Sequence, residues 1–218
     1  MATKSQTKNR TGRSQSRTNS RVNPGGSKLQ SQKTSTGNQQ KTLEDLLEDG
    51  LKDIYSAEIQ LIEALPEMAK AAYSEDLQDA INNHLNETKR QAERLEKIFT
   101  RLGIEKSDAK ICEVMKGLIE ESQKIIEEYE EGPVRDSALI IGAQKVEHYE
   151  IASYGSLCEL CDVLGLNQIG SILGRTLDEE KNTDETLSEI AQDVNDDALE
   201  IYENEGQGQQ NEFESVNR

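Results

Sequence analysis

Residues 1–40 contain no Asp or Glu and little that is apolar besides Val22 and Leu29. Such a segment cannot bury a core, so residues 1–41 are expected to form a disordered basic tail. Long hydrophobic runs are missing as well. Nothing approaches the roughly 18 apolar residues of a membrane span, and the tail lacks the apolar core of a signal peptide. No membrane association and a cytoplasmic location are the resulting expectations. Cysteine is scarce: Cys112, Cys158 and Cys161 do not suggest a disulfide framework. Cys158-x-x-Cys161 falls well inside an expected helix, whereas redox pairs of this spacing work at helix N-termini, so both read as small packed side chains. Only two histidines are present, which excludes a fully symmetric metal site with a Glu-x-x-His motif on each of two helices.

Acid dominates what remains. The tail holds eight Lys or Arg, leaving 17 basic against 42 acidic residues, a formal charge of −25 on the rest. A body so charged repels nucleic acid unless the tail intervenes. Eight positive charges among Ser, Gln and Gly suit weak nonspecific binding to DNA phosphates, against the alternative of a solvated spacer lying on the acidic body.

Helical periodicity organises the body. Thr42 is placed to cap a helix that continues to about Ala72, with Pro66 kinking it rather than ending it. Ser74 is expected to cap a second helix reaching about Arg101 and stopped by Gly103. A further amphipathic stretch spans 107–130. Asp136 is expected to start a third long helix ending near Gly165, and Asn167 a fourth ending near Asn195, with 204–218 a flexible end. This makes 42–203 a single all-α domain, a ferritin-like four-helix bundle with an additional helical crossover segment.

Within that pattern, Glu150 falls in the middle of the apolar stripe Leu139, Ala143, Val146, Tyr154, Leu157 and Cys161. A lone ionised carboxylate in a bundle core is costly unless a cation or dense hydrogen bonding compensates it. Sliding the chain by 92 positions pairs 53–98 with 145–190 without a gap, and Glu58 falls opposite Glu150. Glu58 lies mid-stripe too, among Leu47, Leu51, Ile54, Leu61 and Leu65. A duplicated hairpin packed face to face brings these acids together. Inward carboxylates on four helices suit two iron or manganese ions, which prefer hard oxygen ligands. His84, on the second helix's apolar stripe, is a candidate ligand, with Glu87 nearby and Glu147 one turn before Glu150. The fourth helix leaves a choice. The repeat names Glu179, yet Glu180 lies nearer the stripe's centre, with Glu179 roughly 80° away at about 100° per residue; Asp184 would join Glu180. His148 faces away from its stripe, and Tyr55 and Tyr154 lie near the proposed centre.

The strings TLEDLLEDGLKDIYSAEIQLIEALPEMAKAA, HLNETKRQAERLEKIF, CEVMKGLIEE, QKVEHYEIASYGSL and TLDEEKNTDETL, in this order, resemble the YciE/YciF family of ferritin-like proteins across roughly residues 42–195. The resemblance implies a ferritin-like core with extra helices, a homodimer, bacterial origin and a link to stress responses. It also places Glu58, His84, Glu87, Glu147, Glu150 and Glu179 or Glu180 on the family's polar core motifs. The basic tail is not part of the family core. The function expected is a di-metal stress-response protein with oxygen or peroxide redox chemistry. A metal-free dimeric helical scaffold, its carboxylates held in hydrogen-bonded networks, is the alternative. No catalytic residue or substrate is identified.

Overall fold

The computed structural model describes residues 40–216, with side chains to Ile201. All but the last two residues of the 1–41 basic tail, and with them the DNA contact expected of it, lie outside the described residues. Among those described there is no strand, and no helix is long and apolar enough to cross a membrane.

The first long helix, α1 (Leu43–Ala71), opens on a capping box in which the Thr42 side chain accepts from the Asp45 backbone and Asp45 accepts in return. It runs unbroken through Pro66. The second helix, α2 (Glu75–Leu102), ends at Gly103, whose φ of 73° is a left-handed conformation that glycine adopts without steric cost. After a short 3-10 turn at Lys106–Asp108 come α3 (Glu113–Glu128), α4 (Pro133–Val163) and α5 (Asn167–Val216).

The structure departs from the sequence reading at several helix ends; the stretch expected over 107–130 is α-helical only from Glu113 to Glu128. Ser74 is the N-cap residue of α2 but its side chain makes no capping bond. That work is done across the bundle by Asp136, whose two oxygens accept from Tyr73 N at 2.8 Å and Ser74 N at 2.7 Å. Asp136 therefore does not begin its own helix; Pro133 does, at the position where a missing N–H costs nothing. The last helix runs past Asn195 to Val216, because no proline follows Pro133 to break it.

Chain direction explains the crossover. Tyr73 and Ser74 meet Asp136 at one end of the α1–α4 pair, while Gly50 lies against Leu157 at the other, so these helices are antiparallel. Hydrogen bonds from Ser137 to Asn195 and Gln144 to Ser188 make α4 and α5 antiparallel. His84 beside Thr183 and Arg94 donating to Thr176 do the same for α2 and α5. It follows that α2 and α4 run the same way, and the link between them must travel back along the bundle. α3 makes that return, packed on both α1 and α4. The approach is tight at Gly142, where a Cβ would sit 3.1 Å from Ser122 Oγ. The result is the ferritin-like order expected, with the aliphatic core of Leu51, Ile54, Leu77, Leu95, Leu139 and Leu173 enclosed by the four long helices.

Candidate metal centre

The 92-residue offset maps buried positions onto buried positions: Leu65 and Leu157, Leu77 and Ile169, Ile81 and Leu173, Leu95 and Leu187. Glu58 and Glu150, equivalent by the same offset, are both 0 % exposed. The next pairs in the register break the symmetry. His84 corresponds to Thr176 and Thr88 to Glu180, all four buried. The polar layer of the core is thus built from Glu58 on α1, His84 on α2, Glu147 and Glu150 on α4, and Glu180 on α5.

One ligand atom from each of His84, Glu147, Glu150 and Glu180 lies within 4.8 Å of the other three. His84 Nε2 is 3.3 Å from Glu147 Oε1, without the alignment of a hydrogen bond. Glu58 borders the cluster and accepts a hydrogen bond from the buried Tyr154 hydroxyl. Several atoms have no partner: both oxygens of Glu150, Oε2 of Glu58, Glu147 and Glu180, and Nε2 of His84. Buried oxygens without donors are rare in folded proteins because each carries its full desolvation cost.

Crowding shows in the electrostatics. Burial first, then repulsion by Glu180, holds the carboxyl pKa values of Glu58, Glu147 and Glu150 well above the usual range. Burial raises Glu180 to about 7, although hydrogen bonding with Glu147 and Gln91 opposes the rise. Burial also lowers His84 to about 4, so its imidazole is neutral near pH 7 and presents a lone pair. Four carboxyls and one neutral imidazole, each with at least one buried atom that no partner reaches, fit hard divalent cations: ionised, the four carry a charge that two such ions would balance.

Two sequence candidates do not join this set. Glu87 is about one-third exposed and lies 3.5 Å from Arg90. Glu179 has both oxygens held by Arg94, at 2.5 and 2.6 Å, and accepts from Gln91 at 3.2 Å. Burial pushes the Glu179 carboxyl up, but the Arg94 bonds outweigh it and hold the pKa below the usual value. Of the two residues the fourth helix offers, Glu180, the one nearer the centre of the apolar stripe, is the one buried in the cluster. Asp184, its alternative companion, has Oδ2 3.2 Å from the exposed His148 and a buried Oδ1 without a partner, and its charge reaches Glu147. Tyr55 bonds to Glu96 and packs on Phe99, away from the cluster. Cys161 is buried and Cys158 half-buried, both free, in line with a packing role.

Arg94 and Gln91 were not among the sequence candidates. Their spacing offered a signal: Glu87, Gln91 and Arg94 recur at four and three residues, which lines them along one edge of α2's apolar stripe.

A family profile described as a domain of unknown function, DUF892, matches residues 42–200. The chain belongs to the DUF892 family. Protein YciF of Escherichia coli (strain K12) is 46% identical to it over 151 residues, 69% of this chain and 91% of that protein. The crystal structure of the E. coli stress protein YciF aligns with a TM-score of 0.69 at 44% identity, covering 72% of this chain and 99% of the other. YcfI from Rhodopseudomonas palustris aligns at 0.66 and 40%, over 71% and 98%. A protein from Xanthomonas campestris pv. campestris, 21% identical with a TM-score of 0.57, covers 74% and 99% and shares the fold. The YciE/YciF resemblance read from the motifs is thereby confirmed for this DUF892 chain.

Proposed function

We propose that this chain is a stress-associated, ferritin-like metal-binding protein that holds two iron or manganese ions among Glu58, His84, Glu147, Glu150 and Glu180. The observation that carries the reading is Glu150, fully buried at the bundle centre with no donor to either oxygen. A divalent cation relieves that cost directly, as no side chain described nearby does. His84, Glu147, Glu150 and Glu180 would form one position. Glu58, beside Glu150 and Glu180, would complete a second. Bound iron or manganese would supply one-electron redox chemistry toward oxygen or peroxide. The surrounding helices exclude water, and the Tyr154 hydroxyl orients Glu58.

A metal-free scaffold is the competing reading, favoured by the hydrogen bonds that Gln91 and Tyr154 make to Glu180 and Glu58. Elemental analysis after loading with Fe2+ or Mn2+ under anaerobic conditions separates the two. The wild-type protein should retain about two ions per chain. Glu150→Gln should lose most of this metal, while Glu87→Gln should keep it. Equal metal content in wild type and Glu150→Gln would remove the proposed centre.

A further inference from the structure

The two ends of the carboxylate cluster are not alike. At the Glu58 end, the Arg94 guanidinium grips both oxygens of Glu179 and donates to Thr176. Gln91 donates to Glu179 and to Glu180 Oε1, and Tyr154 donates to Glu58. The Arg94 charge also reaches Glu58, opposing the burial and the Glu180 repulsion that raise its pKa. This end is already partly neutralised and supplied with donors. At the other end, His84 Nε2, Glu147 Oε2 and both Glu150 oxygens have no partner, and no Lys or Arg pairs with them among the described side chains.

We infer that Arg94 makes the two cation positions unequal: the first ion seats at His84, Glu147, Glu150 and Glu180, and the second binds more weakly beside Glu58 because it faces the guanidinium. The inference rests on the metal reading above and adds a positioning residue to it. Arg94 acts in two ways, by repelling a second cation and by withholding Glu179 from the ligand set. Glu179 is the intermediary in both. Its carboxylate anchors and offsets the guanidinium at the edge of the cluster; without it, more of the Arg94 charge acts on Glu58 and on an ion beside it.

The opposing effects of two variants give the test. Mn2+ is titrated into metal-free protein, and the free ion is counted by its six-line electron paramagnetic resonance signal. Wild type should bind two ions in distinguishable steps. Arg94→Gln should tighten the second step by about tenfold, the size of one partly screened charge interaction, and leave the first within about twofold. Glu179→Gln should weaken the second step. Glutamine keeps the size and shape of the Glu179 side chain, so this variant serves if Arg94→Gln does not fold. Two equal steps in wild type, or a second step unmoved in a folded variant, would overturn the role of Arg94 while leaving the metal centre standing. Absence of Mn2+ binding by wild type would overturn both.

Discussion

At the scale of single residues, the centre is a group of carboxyls whose protons are held by the fold. Glu58, Glu147, Glu150 and Glu180 have folded pKa values above the ordinary glutamate value of about 4.3. Above that pH the metal-free folded protein binds more protons than the unfolded chain, and its stability falls as pH rises. Their contribution is complete below about pH 4.3 and is lost as pH passes through the folded values, about 7 for Glu180. His84, lowered to about 4 from 6.5, acts the other way. Its contribution is present above 6.5 and lost as pH falls through about 4, so above 6.5 the carboxyls act alone. The metal-free protein should therefore lose roughly 5 °C of Tm or more between about pH 6.5 and pH 8. Saturating Mn2+ should abolish the loss, since a bound cation favours the ionised carboxylates. Thermal scans across that range check this, and a metal-free Tm that climbs steadily to pH 8 would contradict it.

Among the elements, the packing of one helix supplies what another helix's sequence omits. The start of α2 has no side-chain cap of its own, and Asp136 from the first turn of α4 satisfies Tyr73 N and Ser74 N instead. The two hairpins are thus fastened where their helices meet, one helix length from the Gly50–Leu157 contact. Asp136→Ala removes both acceptors and leaves two partly buried N–H groups unpaired, a loss of about 3 kcal/mol. Asp136→Asn retains one acceptor and should lose less. Urea unfolding of the two variants measures the difference; equal and small losses would show that water replaces the carboxylate without cost. The α4–α5 turn shows the opposite arrangement, set locally by Gly165 at φ 71° and by Leu166 N donating to Cys161 O at 2.8 Å.

For the whole molecule, a body of formal charge −25 folds with four of its own carboxyls buried in the core. Its self-repulsion is long-ranged at low ionic strength, where the Debye length is about 30 Å at 0.01 M, and short at about 8 Å in 0.15 M salt. Raising NaCl over that range should move the urea midpoint of the metal-free protein upward, because few of the surface ion pairs that salt weakens are buried enough to matter. A midpoint that falls would show those pairs to dominate. The sequence by itself determined the helical class, the four long helices and the core glutamates Glu58 and Glu150. Helical period and the 92-residue repeat are local or self-referential patterns, readable without coordinates. Only the tertiary structure placed Glu180 in the buried cluster and Glu179 against Arg94, left Glu87 partly exposed, and brought Asp136 to the start of α2. Each of those outcomes depends on a partner distant in sequence: Arg94 for Glu179, solvent beside Glu87, the α2 backbone for Asp136. A stripe on one helix shows which side faces inward, but what waits there is set by the helix packed against it.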